Sequence, residues 1–299
     1  MGKGGVGRSS VALALALALA SRRRRVLLVQ VHAPDVVGPL FGTSVGYDMK
    51  ELRPGLVAVN VDPENALREY VMLVVRFRKV FDALFGNKLV RYFLRFIPSL
   101  AEINMLGKVT YHADEVAAGG RRRFEHVVVD APATGHGLTF LKVARVVTST
   151  APAGPLRDQT RAMAEVVEDR DRTVVHVVTT PDEMSVLETE ELLARMRDEA
   201  VAPLGAVVLN RVSEPLCEGL DVDTLMRVAQ VPALRPFVAV AEERHAHQDG
   251  ARRAAQRLAA TGLPLVRLAE CPTEDFTLAE SERMGEALLA PAGGTGVAL

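Results

Sequence analysis

Near its start the chain reads Gly2-Lys3-Gly4-Gly5-Val6-Gly7-Arg8-Ser9-Ser10, residue types and spacings suited to holding a phosphate chain. Glycines let a backbone turn closely enough for its N–H groups to surround phosphate oxygens, and a helix opening at the loop's end adds its positive dipole end. Ser9 offers the oxygen donor that a hard cation such as Mg2+ prefers. The pattern G-x-x-x-x-G-K-[ST] is matched at every fixed position except the lysine, which is Arg8. A second group closes an apolar run: Val127-Val128-Val129-Asp130, then Ala131-Pro132-Ala133-Thr134-Gly135-His136-Gly137-Leu138. A strand-end aspartate there is placed to hold Mg2+ through water, and the turn around Gly135 to sense a terminal phosphate.

The elements that must carry these groups are short β-branched runs separated by helical stretches. Strands are expected at Val26–Val31, Leu56–Val61, His126–Asp130, Thr173–Thr179, Ala206–Asn210 and Leu263–Leu268. Most are apolar throughout rather than alternating, which fits a parallel sheet covered on both faces. Helices are expected at Ser9–Ser21, Leu156–Glu168, Glu183–Ala200, Glu242–Ala260 and Ser281–Leu289. Strand and helix in alternation predict a doubly wound α/β fold with a mostly parallel sheet. Residues 64–119 break that rhythm with a helical block holding Tyr70, Phe77, Phe81, Phe85, Tyr92, Phe93, Phe96 and Tyr111. These aromatics form either the core of a helical subdomain or a hydrophobic surface for a client or partner protein. The last residues, 291–299, read as a frayed tail.

Composition excludes several classes. A formal net charge of -1 gives no footprint for nucleic acid or an anionic membrane. Cys217 and Cys271 lack C-x-x-C spacing, which fits a reducing, cytoplasmic setting and gives no thiolate metal site. Val11–Ala20 reads VALALALALA and superficially resembles an export signal, but Arg22–Arg25 follow at once and oppose that reading. Nothing else is long enough to span a bilayer, so no transmembrane segment is expected. His245 and His247, two apart on a helix, point to different faces and make a poor metal pair.

Lys3 within K-G-G-V-G-[KR]-S resembles the "deviant" phosphate-loop group, and the wording D-A-P-A-T-G-H-G-L resembles switch II of the arsenite-transporting (anion-transporting) ATPase family. Arg24–Gly42 is similar to that family's second strand and switch I, Pro54–Tyr70 to its entry into the helical insert, and Thr180–Glu190 to its T-P-[DE]-E-M segment. The resemblance implies a P-loop NTPase fold, a single nucleotide-binding domain over residues 1–299 with the insert at 64–119. It implies ATP and Mg2+ as ligands. Gly2, Lys3, Gly4, Gly5, Val6, Gly7, Arg8, Ser9, Ser10 and Gly135 would hold phosphate, and Ser9 and Asp130 the metal. Asn210 with Arg211 resembles the strand end that reads adenine, a role suited to an amide that both donates and accepts. Lys3 would reach phosphates across a dimer, either a homodimer or a heterodimer with a paralogue.

Departures from the family pattern leave two readings open. Arg8 stands where the phosphate lysine is expected, and a planar guanidinium is no substitute for a compact ammonium. His32 stands where switch I carries the aspartate that polarises water, with Asp35 nearby as a replacement. The protein is then either a Mg-dependent ATPase coupling hydrolysis to dimer opening and closing, with Lys3, His32, Asp35 and Asp130 in its chemistry, or a hydrolysis-impaired regulatory partner of an active paralogue. Because a P-loop follows a buried central strand and only Met1 precedes Gly2, the native start is expected some residues upstream.

Overall fold

A computed structural model describes residues 1–74, 99–213, 224, 227, 228, 230–271 and 276–290. In chain order its elements are α1 (Arg8–Ser21), β1 (Val26–Val31), β2 (Lys50–Arg53), β3 (Leu56–Val61), α2 (Pro63–Val74), α3 (Leu100–Asp114), β4 (His126–Asp130), α4 (Thr134–Thr150), α5 (Pro155–Glu168), β5 (Val175–Thr179), α6 (Glu183–Asp198), β6 (Leu204–Val212), α7 (Arg235–Ala259), β7 (Leu265–Ala269) and α8 (Leu278–Leu289). The strands form two sheets, ordered β2-β3-β1-β4 and β5-β6-β7. Neighbours run parallel except β2 against β3.

Side-chain alternation explains the layers. Every residue of β1 is buried. Val26 and Leu28 face α1, while Leu27, Val29 and Val31 face Ile103 and Leu106 of α3 and Phe140 of α4. In the second sheet Val177, Val207 and Leu209 meet Leu193 and Met196 of α6 and Leu258 of α7. The alternate residues Val178 and Val208 meet Val11 and Ala14 of α1 and Leu288 of α8. Helices therefore cover both faces, and α1 with α8 packs on both sheets.

That position accounts for VALALALALA. Val11, Ala12, Leu13, Ala14, Ala16, Leu17, Ala18, Leu19 and Ala20 are all buried, so the run is a central helix with no polar face to keep. Alanines bring α8 close: a Cβ on Gly285 would lie 2.4 Å from the Ala14 carbonyl oxygen.

Among the described residues no strand lies between β4 and β5. Met1 alone pairs there, its amine donating to the His176 carbonyl at 2.7 Å and its carbonyl accepting from the Val178 N–H at 2.7 Å. Gly2 follows at φ 149, and a Cβ there would lie 2.1 Å from the Val178 oxygen, so glycine is required where the chain turns off β5. On β4, Val127 and Val129 are only partly buried, unlike every residue of β1.

The expected strands are present, β1, β3 and β4 with the expected ends, while β5 starts at Val175, β6 runs from Leu204 to Val212 and β7 from Leu265 to Ala269. Two elements were not expected, the charged strand β2 and the helix α4. Helix α7 begins at Arg235, well before the expected Glu242. Of the helical block at 64–119, α2 and α3 are described, while Phe77, Phe81, Phe85, Tyr92, Phe93 and Phe96 lie outside the described residues. No described helix is long and apolar enough to cross a membrane.

Candidate functional site

The glycine loop leaves the gap between β4 and β5 and ends at Gly7, the N-cap of α1, in the left-handed conformation at φ 89. No side chain caps α1, so its first N–H groups present their partial positive charge to whatever enters the loop. A Cβ on Gly7 would sit 2.3 Å from the Asn210 Nδ2, so the loop and the end of β6 pack too closely for any other residue.

Asn210 is the buried partner of this loop. Its Nδ2 donates to the Val6 carbonyl at 2.9 Å, and its Oδ1 is buried without a partner. A buried amide oxygen left unpaired is costly, and an exocyclic amino group of a base would satisfy it. Arg211, next along, is exposed at φ 58.

The first turn of α1 meets the end of β4. Ser9 Oγ donates to Asp130 Oδ2 at 2.5 Å, placing a hydroxyl and a buried carboxylate side by side as a divalent cation with oxygen ligands needs. Arg8 donates from its guanidinium to the Ala131 carbonyl, just beyond Asp130, so this cation is engaged with switch II. Lys3 pairs with Glu188 of α6.

Switch II itself departs from the expected loop. Only Ala131–Ala133 link β4 to α4, and Gly135, His136 and Gly137 belong to the helix's first turn. Gly137 is required there, since a Cβ would lie 2.7 Å from the Pro132 carbonyl oxygen. Gly135 and His136 are exposed on that turn.

Switch I divides its two candidates. Asp35 accepts from the N–H groups of Val37, Gly38 and Val45 at 3.2, 2.8 and 2.7 Å, and from the Gln30 amide at 3.4 Å. Partial burial would push its carboxyl up, but these donors outweigh it and hold the pKa below its ordinary value. In this structure Asp35 therefore anchors the switch I loop. His32 is exposed and left-handed at φ 49, a strained conformation for a non-glycine residue. With Ala33, Pro34, Gly46, Tyr47, Asn60 and Asp62 it lines a cavity of about 360 Å³ at the carboxyl ends of β1 and β3. One wall is fixed, since Tyr47 hydrogen-bonds Glu69, which pairs with Lys108 at 2.8 Å. Sequence reasoning missed this wall and Glu188, because their partners lie far apart along the chain.

Among the described residues no three His, Cys, Asp or Glu side chains converge as a metal site. The Ser9 hydroxyl and the Asp130 carboxylate are oxygen donors of the kind that Mg2+ combines with phosphate and water ligands.

Residues 1–152 match the family model described as anion-transporting ATPase. ATPase BagA of Mycobacterium tuberculosis is 30% identical over 216 residues, covering 70% of this chain and 63% of its own length. The arsenical pump-driving ATPase of Acidiphilium multivorum is 26% identical over 144 residues, covering 48% of this chain and 24% of the relative. An arsenical pump-driving ATPase of Escherichia coli is 25% identical over 220 residues, covering 67% of this chain and 36% of the relative. This chain thus spans less than two thirds of the length of each relative.

Proposed function

The chain belongs to the anion-transporting ATPase family, and from that premise we propose that it binds ATP with Mg2+ where β4 and β5 flank the glycine loop, and hydrolyses it as a dimer in the cytoplasm. The observation that carries this reading is the contact of Ser9 Oγ with Asp130 Oδ2 beneath the uncapped end of α1. Bound Mg2+ would neutralise charge on the β- and γ-phosphates. Ser9 would turn its oxygen to the metal, and Asp130 would hold a metal-bound water. The loop N–H groups would bind phosphate oxygens. Asn210 would keep its donor on Val6 and offer Oδ1 to the 6-amino group of adenine. His32, at the switch I position, is the remaining candidate to orient the attacking water. Lys3 would serve a nucleotide held by the second subunit, and the helical insert would signal its state to a hydrophobic client.

Arg8 favours a second reading in which turnover is impaired. Its guanidinium is bonded to the Ala131 carbonyl, so the phosphate lysine's position is filled by a group committed to switch II. In that reading the protein binds nucleotide and pairs with an active paralogue without cleaving ATP itself.

Phosphate release by the wild type and by Arg8→Lys combined with His32→Asp decides between them. A double variant at least tenfold faster identifies Arg8 and His32 as the brake; a wild type that hydrolyses ATP at a rate the double change does not raise removes the motive for the regulatory reading. A titration of wild type and Ser9→Ala with a fluorescent ATP analogue and Mg2+ tests the site itself. Equal binding by the two would overturn it.

A further inference from the structure

Lys3 in this structure faces its own subunit. Its Nζ lies 3.0 Å from Glu188 Oε1 on the second turn of α6, with both side chains about a third exposed at 35% and 36%. The N-cap carboxylate of α6 adds to the attraction. Asp182, the N-cap of α6, accepts from the Ser185 N–H at 2.9 Å, and Lys3 lies within its field. Partial burial would raise the Asp182 carboxyl; Thr180, Ser185 and the Lys3 ammonium together hold it below its ordinary value. Lys3 thus pairs with Glu188 and lies within the electrostatic reach of the Asp182 carboxylate. Glu190 on that helix is taken by Arg257 of α7 at 2.6 Å, so Glu188 and Glu190 have distinct partners.

From this geometry we infer that Glu188 is a positioning residue that holds Lys3 within its own subunit until the phosphates of a nucleotide on a second copy draw it away. The inference rests on the proposed ATP site and adds a restraint on it. Phosphate carries more charge than one carboxylate and competes for the same ammonium. A restraint of this kind lowers apparent affinity by the fraction of subunits whose Lys3 is free. For a partly exposed pair that factor is about fivefold at most, and it weakens with salt.

The test follows Lys3 directly. The full chain is treated briefly with an amine-acylating reagent over a range of Mg-ATP concentrations, and acylation of Lys3 is read by mass spectrometry. Wild type is compared with Glu188→Gln and with Glu190→Gln, which removes the same charge from α6 without touching Lys3. The expected result is that Mg-ATP protects Lys3 in all of them. Half-protection should fall at about fivefold lower ATP in Glu188→Gln, unchanged in Glu190→Gln, with the difference shrinking at high salt. Equal midpoints in wild type and Glu188→Gln overturn the inference, as does Lys3 left unprotected while a fluorescent ATP analogue binds. Failure of the analogue to bind wild type overturns the ATP site, and the restraint with it, and is distinguished by that titration.

Discussion

Asn210 shows how much one side chain does here. One atom of its amide fixes the loop through Val6, and the other is a buried acceptor in need of a donor. Asn210→Ala should therefore have two effects. Stability should fall by about 1–2 kcal/mol through the lost hydrogen bond to a buried carbonyl, as read by urea denaturation. Preference for ATP over GTP should also shrink, measured by competition, because guanine presents an oxygen where adenine presents an amino group. The family resemblance singles out Asn210, but the unpaired Oδ1 becomes visible only once β6 and the loop meet. His32 is the converse case. Its position in sequence suggests a reacting group, and the structure shows a strained, exposed imidazole lining a cavity on the β1 and β3 side.

At the scale of elements, the apolar strands and the helices that follow them were legible because each is an uninterrupted run with one period. Charged Lys-Glu-Leu-Arg hides β2, since neither alternation nor β-branching marks it. Gly135 and Gly137 hide α4, reading as a turn although Gly137 is there to pass the Pro132 carbonyl. Helix packing is similarly specific at Gly285. Gly285→Ala pushes a methyl into the backbone of α1, and should cost about 1–3 kcal/mol in thermal or chemical denaturation. A pH dependence belongs to the β5–β6 pair. His176 Nδ1 accepts from the Ala206 N–H at 3.0 Å, where the strands shift register, so the ring must be neutral with its proton on Nε2. Burial, then the positive charge of the Met1 amine, lowers its pKa from 6.5 to about 4. The unfolded chain takes up this proton near pH 6.5 and the folded chain only near pH 4. The stabilisation is complete above about pH 6.5 and is lost as pH falls toward 4, by up to about 3 kcal/mol. Denaturation midpoints between pH 7 and pH 4 should show that slope in wild type and a shallower one in His176→Gln.

For the whole molecule, two sheets share one pair of helices. Helices α1 and α8 hold both halves, while the strands facing the gap lack a common neighbour among the described residues. Mg-ATP should slow the exchange of the β4 amides with deuterium by ordering the loop that ends against Asp130. Exchange at β4 left unchanged by saturating Mg-ATP would count against that ordering. The opposite margin of the first sheet is treated differently. There β2 is four residues long, antiparallel, broken by a register shift between Glu51 and Arg53, and partly tied down where Arg53 meets Glu282 at 2.6 Å. A short, charged, irregular border gives another molecule no straight row of N–H and C=O groups to extend. At high concentration in a crowded cell, fibril-like stacking should therefore find no template along that border.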